Sequence, residues 1–310
     1  MDSKKTASRS LLASGLSLSF FTLCSRILGL VREMTKASFL GTSRYADAFG
    51  IAFMIPNLFR RLFAENAISV AFIPTYRGYL EECAQAEASG SSDELAAARE
   101  RSREFLKATL TLVTFLTTAV VVAGMLLTPL IVPFFYGKGR PESDVLTETA
   151  LLTRIMFPYL TVISIAAFFQ GILNGVKIFA PSGFTPVLFN TVVIAATYLL
   201  APHMANPARA MSLGVISGGC VQALFQLPFV MKCGQAQGFT SLKKAFSNPG
   251  TRRVMALIGP TIIGMAAYQL NDIVSSSLAS RAGTGVVSSL TYSLRVQELI
   301  LGICAVTIGT

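Results

Sequence analysis

FLKATLTLVTFLTTAVVVAGMLLTPLIVPFFY, residues 105–136, decides the fold class: from Ala108 to Tyr136 it holds no charged residue. About 20 apolar residues suffice to cross a hydrocarbon layer of about 30 Å. Segments near 11–38, 46–76, 150–173, 183–201, 210–231, 254–280 and 286–310 are also long enough. Composition agrees, with 52% hydrophobic and 14% charged residues and a mean hydropathy of +0.59. A soluble domain carries about 25% charged residues. The expected fold is an all-α polytopic membrane protein of about eight transmembrane helices.

The basic tip Lys4, Lys5 and Arg9 runs into an apolar stretch that continues past Arg26 without a small-residue cleavage site. The first helix is therefore expected to stay in the mature protein. Five cysteines (Cys24, Cys83, Cys220, Cys233 and Cys304) lack C-x-x-C spacing and read as free thiols, not as metal ligands or a disulfide framework. With the N-terminus inside, 14 Lys and Arg fall in the tip and the 77–107, 174–182 and 232–253 connections, against 5 on the opposite side. This bias predicts a cytoplasmic N-terminus and a cytoplasmic end to the eighth helix. Basic loops facing anionic membrane lipids account for the +10 net charge, so no nucleic-acid partner is called for.

Two connections suggest how the chain divides. The polar 81–104 segment reads as a solvated surface helix. The 232–253 loop is rich in Gly, Gln, Ser and Lys, with Asn248-Pro249-Gly250 as a turn signal. We expect it to separate an N-terminal lobe (1–234), through a linker (235–252), from the start of a second lobe (253–310).

The apolar segments also carry charges that need a reason. Seven basic residues lie at membrane depth: Arg26, Arg32, Lys36, Arg60, Arg61, Arg154 and Arg295. Each costs about 2.5–3.5 kcal/mol on insertion scales, so such groups normally mark a site. Arg26 and Glu33, seven apart, share one helical lining, whereas Arg32 and Lys36 share another. Snorkelling of Arg32 and Lys36 to headgroups is the alternative. In the second segment Pro56 bends the helix beside Asn57 and Arg60. Arg60 and Arg61 point about 100° apart, so one is expected to face a cavity while Arg61 pairs with Glu65 at i+4. Asp47 either caps a helix start or serves the site. Further on, Gln269, Asn271 and Asp272 interrupt the seventh segment, and Tyr292, Arg295 and Glu298 the eighth, with Arg295 and Glu298 spaced to pair. Both halves begin with helix, Gly-containing turn and Arg-bearing helix, a pattern that fits two lobes around a central site.

Several arginines in an apolar wall suit an anion. The guanidinium fork grips phosphate bidentately and keeps its charge when buried. The acids at that depth are Glu33, Glu65, Asp272 and Glu298, with Asp47 near the rim, 5 against 7 cations. No H-E-x-x-H, Walker A, G-x-G-x-x-G or paired-Asp motif appears, and the single histidine, His203, reads as a loop residue. No enzyme chemistry, metal or cofactor is expected.

Cys24-Ser25-Arg26-Ile27-Leu28-Gly29-Leu30-Val31-Arg32-Glu33, Ala46-Asp47-Ala48-Phe49, Pro56-Asn57-Leu58-Phe59-Arg60-Arg61-Leu62-Phe63-Ala64-Glu65 and Ala71-Phe72-Ile73-Pro74 closely resemble the MurJ/MviN family of lipid II flippases. That family belongs to the multidrug/oligosaccharidyl-lipid/polysaccharide exporter superfamily. Tyr292 to Glu298 is similar to the corresponding arginine segment of the second lobe. The resemblance implies a two-lobe, fourteen-helix fold, of which this chain spans about eight helices and reads as a fragment. It implies Arg26, Arg32, Arg60 and Arg295 as cavity arginines and Asp47 as an acidic position of functional weight. Glu33, Asn57, Glu65 and Glu298 are implied as cavity or motif neighbours, with Glu33 standing where an aspartate is common. The implied function is movement of lipid II across the cytoplasmic membrane by a monomer. The alternative is export of another polyprenyl-linked saccharide, or drug/cation antiport, within the same superfamily.

Overall fold

The computed structural model describes residues 2–61, 68–136, 143–234 and 238–308, and among them every regular element is helical. In chain order these are α1 (Asp2–Leu40), α2 (Arg44–Phe59), a π-helical turn (Ile68–Phe72), α3 (Ile73–Ala88), α4 (Ser92–Tyr136), α5 (Ser143–Met156) and α6 (Tyr159–Gly175). There follow α7 (Ala180–Leu200), a 3₁₀ turn (Ala201–His203), α8 (Pro207–Lys232), α9 (Leu242–Ser247), α10 (Pro249–Ala282) and α11 (Val286–Ile308). Four stretches of the described residues are long and apolar enough to cross a membrane: Ser92–Tyr136, Ser143–Gly175, Ala180–His203 and Pro207–Lys232.

Three expectations are corrected in detail. The 46–76 segment is not one α-helix: α2 gives way to π winding at Arg60–Arg61, which recurs at Ile68–Phe72 before α3. Pro56 has no N–H to give, and at the end of α2 the Arg60 N–H is shared between the carbonyls of Asn57 and Pro56, at the point where the winding changes. The 150–173 segment is two helices, because Pro158 supplies no donor and the chain turns at Phe157–Pro158 between α5 and α6. The polar 81–104 segment is no separate surface helix. It is the far end of α3 and the start of α4, joined by a tight turn in which Gly90 holds a φ of +73°, and Arg101 pairs with Glu82 across the hairpin at 3.4 Å. The Asn248-Pro249-Gly250 turn starts α10, with the Asn248 side chain accepting from the Gly250 and Thr251 N–H groups.

Where helices must approach closely, glycine lets them. Along α6, Gly171 and Gly175 face the π turn and α3; a Cβ on Gly175 would stand 2.6 Å from the Tyr76 ring, and one on Gly171 2.6 Å from Ile68. Along α8, Gly214 and Gly218 seat α7, with Val193 backbone and the Phe189 ring in the same relation. Both pairs have the small-xxx-small spacing by which membrane helices pack without a hydrophobic drive between them. Around α6 the stacked rings of Phe72, Tyr76 and Phe105 belong to one core, and Leu152, Phe157, Leu160, Val193 and Val215 to another.

The helix connections are cross-tied at one end. Arg44 pairs with Asp144 at 3.2 Å, and Arg209 grips Glu148 through two bonds of 2.8 and 2.6 Å. The Gly285 N–H, in the turn between α10 and α11, donates to Asp47 at 2.6 Å, and the Tyr292 hydroxyl donates to the Gly41 carbonyl at 2.9 Å. These ties seat α11 against α1 and α2 and bring Arg295 to the wall that α1 forms.

Candidate functional site

Arg26 and Arg32 from α1, Asn57 from α2, Arg60 and Arg61 from the π winding, and Arg295 from α11 line one cavity of about 420 Å³. Further residues of α1 and α2 complete that side, and α6, α7 and α8 supply the rest of the wall, with Tyr159, Asn190, Gln222 and Gln226. A second cavity of about 360 Å³ adjoins it, sharing Arg32, Asn57, Arg61 and Arg295 and adding Glu33, Lys36, Gln269 and Asn271. The four arginines singled out from sequence thus face one space, together with a fifth, Arg61.

Arg60 and Arg61 lie in the π-wound stretch and both reach the cavity, contrary to the expectation that only one would; the wall is broad enough that neighbours on the α-helices, such as Phe189 and Asn190, line it together as well. The Arg60 Nε donates to Asn57 Oδ1 at 2.8 Å, which aims the guanidinium from a fixed base. Glu65, the expected partner of Arg61, lies outside the described residues.

Glu33 gathers the other cations. Its carboxylate sits 2.9 Å from the Arg32 guanidinium, 3.9 Å from Lys36 Nζ and 3.9 Å from Arg295 Nε. Glu33 and Lys36 are buried, at 8% and 3% exposure. Lys36 also lies over the Tyr292 ring at 4.8 Å and the Phe49 ring at 5.8 Å, and Arg32 over Phe189 at 5.7 Å. Neither side chain snorkels to a helix end: Glu33 and the aromatic faces hold both inside. Arg295 reaches back to Glu33 on α1, and the Glu298 side chain expected beside it lies outside the described side chains, as does that of Asp272. Arg26 and Glu33 do not share a lining after all; Arg26 faces the first cavity and Glu33 the second, with Arg32 on the wall between them.

Asp47 lines neither cavity. It is buried, at 7% exposure, and accepts from the Gly285 N–H at 2.6 Å, the Ser288 N–H at 2.9 Å and the Ser288 hydroxyl. It therefore caps a helix, as one expectation had it, but that of α11; its own α2 is capped by Ser43, whose Oγ accepts from the Ala46 N–H at 3.4 Å.

Sequence reasoning passed over the amides of the wall. Asn190 donates through Nδ2 to the Ser25 carbonyl at 3.1 Å, and Gln226 donates to the Ala166 carbonyl at 3.1 Å and the Gln222 carbonyl at 3.2 Å. The legible signal was the i, i+4 pair of glutamines within an apolar run. Cys24, Cys83, Cys220 and Cys233 are free thiols, and no cluster of metal-ligating side chains occurs among the described residues.

A cavity of this kind offers forked donors and positive charge in a helical wall that is otherwise part amide and part apolar, and the comparisons with known proteins point the same way. A family profile described as "Lipid II flippase MurJ" matches residues 36–310. The chain belongs to the MurJ lipid II flippase family. Among its relatives, a Treponema pallidum (strain Nichols) protein named "Probable lipid II flippase MurJ" is 48% identical over 301 residues, covering 97% of this chain and 54% of the relative. A Burkholderia cenocepacia protein named "Lipid II flippase MurJ" is 35% identical over 298 residues, covering 95% and 55%. A solved structure described as "Lipid II flippase MurJ, inward closed conformation" matches with a TM-score of 0.69 at 26% identity, over 91% of this chain and 54% of that one. The chain thus spans about half the length of the MurJ relatives it matches. The family's helical, membrane-embedded character agrees with the four apolar spans.

Proposed function

We propose that this protein serves as a lipid II flippase, moving a polyprenyl-pyrophosphate-linked disaccharide-peptide from the inner to the outer leaflet of the cytoplasmic membrane. The observation that carries the reading is the single cavity lined by Arg26, Arg32, Arg60, Arg61 and Arg295. A pyrophosphate presents several oxygens carrying negative charge, and guanidinium forks match them geometrically as well as electrostatically. The polyprenyl tail stays in lipid while the head group occupies the cavity, and rocking of two lobes exposes the site alternately to each side. No covalent step is involved, so the protein acts as a transporter and not as an enzyme.

The finer organisation belongs to the same reading. The eight sequence segments each cross the membrane, the N-terminus is cytoplasmic, and 235–252 links an N-terminal lobe to a second lobe that begins at 253. The protein works as a monomer. Glu33 tempers the repulsion among Arg32, Lys36 and Arg295 in the absence of substrate.

The test is to complement a strain depleted of its own flippase with proteins carrying Arg26→Lys or Arg60→Lys. Each substitution keeps the charge and loses the fork, and we expect growth to fail or slow severely at normal expression levels. Full complementation by both variants would sink the fork-to-pyrophosphate assignment.

A further inference from the structure

The arginine cavity has acceptors as well as donors on its wall. Gln222 and Gln226 lie four residues apart on α8, hence on one face, and both line the cavity that Arg26 and Arg60 line. They are buried, at 7% and 1% exposure. The two bonds that Gln226 Nε2 donates, to Ala166 and Gln222, fix which way its amide points. Its Oε1 is left without a hydrogen-bond partner among the described residues, and so is Oε1 of Gln222.

A buried carbonyl oxygen without a donor carries an uncompensated desolvation penalty, so such a pair in a cavity wall calls for a ligand that supplies donors. A pyrophosphate cannot: at neutral pH it accepts from the arginines and offers no N–H. In a lipid-linked saccharide, the sugar bonded directly to the pyrophosphate does carry hydroxyl donors, and an N-acetylated sugar adds an amide N–H. With the phosphates held by the arginine forks, that first sugar is the part of the ligand placed nearest the same wall.

We propose that Gln222 and Gln226 form a saccharide-recognition subsite, reading O–H or N–H donors on the sugar adjoining the arginine-bound pyrophosphate. The assignment rests on the lipid-pyrophosphate reading above and adds to it the selectivity for a glycosylated over a bare lipid. It makes the cavity bipartite: guanidinium donors for the anion, amide acceptors for the sugar.

The experiment compares binding of two probes to the purified full-length protein in detergent: a bare polyprenyl pyrophosphate, and the same lipid carrying an N-acetylated amino sugar. The readout is the ratio of the two affinities. For the unsubstituted protein we expect the glycosylated lipid to bind about tenfold more tightly, as loss of a donor to a buried acceptor implies. Gln222→Met, close in length and without the acceptor, should bring that ratio towards one. Gln226→Met should do the same, but it also removes the bonds to Ala166 and Gln222, so Gln222→Met decides if that variant fails to fold. A ratio near one in the unsubstituted protein, or a tenfold ratio that survives Gln222→Met, overturns the subsite and means that water alone satisfies the glutamines. Binding of neither probe by the unsubstituted protein overturns the pyrophosphate reading and the subsite with it, an outcome distinct from the other two.

Discussion

Glu33 shows how one side chain can make a cationic cavity tolerable. Arg32, Lys36 and Arg295 all approach its carboxylate, and it and Lys36 are buried. Removing one member of a buried charge network leaves the others uncompensated, at a cost of about 3–5 kcal/mol. Glu33→Gln should therefore lower the thermal unfolding midpoint in detergent markedly. Adding Lys36→Met should restore part of the loss, because it removes one of the stranded cations and leaves an apolar stem against Phe49 and Tyr292. A double variant less stable than Glu33→Gln alone would show that Lys36 is held by its rings and not by the carboxylate. At this scale the sequence was legible where charge alone carried the message: Arg26, Arg32, Arg60 and Arg295 stand out by their cost in an apolar run. It was misleading where geometry decided. Arg61 enters the cavity beside Arg60 because the wall is broad enough to take neighbours about 100° apart, a breadth that helical periodicity alone does not reveal. Asp47 sits in the first turn of α2, yet it serves a helix that begins more than two hundred residues later.

Among the helices, close contact depends on absent side chains. Gly171 and Gly175 let the π turn and α3 lie against α6, and the Tyr76 ring occupies the place where a Gly175 Cβ would stand. Gly175→Ala should destabilise the protein by about 1–3 kcal/mol through overpacking. Tyr76→Leu frees that space, so the pair should be less than additive when each variant's unfolding is followed by the same probe. Gly78→Ala, on α3 with nothing within 4 Å of the would-be Cβ, supplies the contrast and should stabilise by up to about 1 kcal/mol through helix propensity. If Gly78→Ala and Gly175→Ala behaved alike, propensity and not packing would govern both. The glycine pairs were present in the sequence at the right spacing, but their partners were not: nothing local says that the face of α6 meets Tyr76, or that α8 meets Phe189. The prolines divided similarly. Pro56 lies inside α2, one turn before the π winding, whereas Pro158 interrupts the helix between α5 and α6 within one apolar span, an outcome that hydropathy, being continuous across it, conceals.

Across the whole molecule the connections sort by end, and this makes the sidedness testable. Arg44 with Asp144, Glu148 with Arg209, and Asp47 with Gly285 tie together the connections that the Lys and Arg count assigns to the outside. The α3–α4 turn and the linker with α9 belong by the same count to the inside, where Thr240 donates through its N–H to Thr111 at 3.0 Å and draws the linker onto α4. Hydropathy and the Lys and Arg count yield an expected number of segments and an expected direction, whereas the cross-ties joining connections far apart in sequence come only from packing in three dimensions. In a cysteine-free background, Thr284→Cys, exposed in the α10–α11 turn, should react with a membrane-impermeant maleimide in intact spheroplasts. Ser89→Cys, exposed in the α3–α4 turn, should react only after permeabilisation. Because both turns belong to one ordered helical array, the two sites test one orientation from opposite faces. Labelling of Ser89→Cys but not Thr284→Cys in intact spheroplasts would reverse the expected topology. Labelling of both would mean that an odd number of the helices between them fails to cross, so that the eight segments could not all be membrane spans.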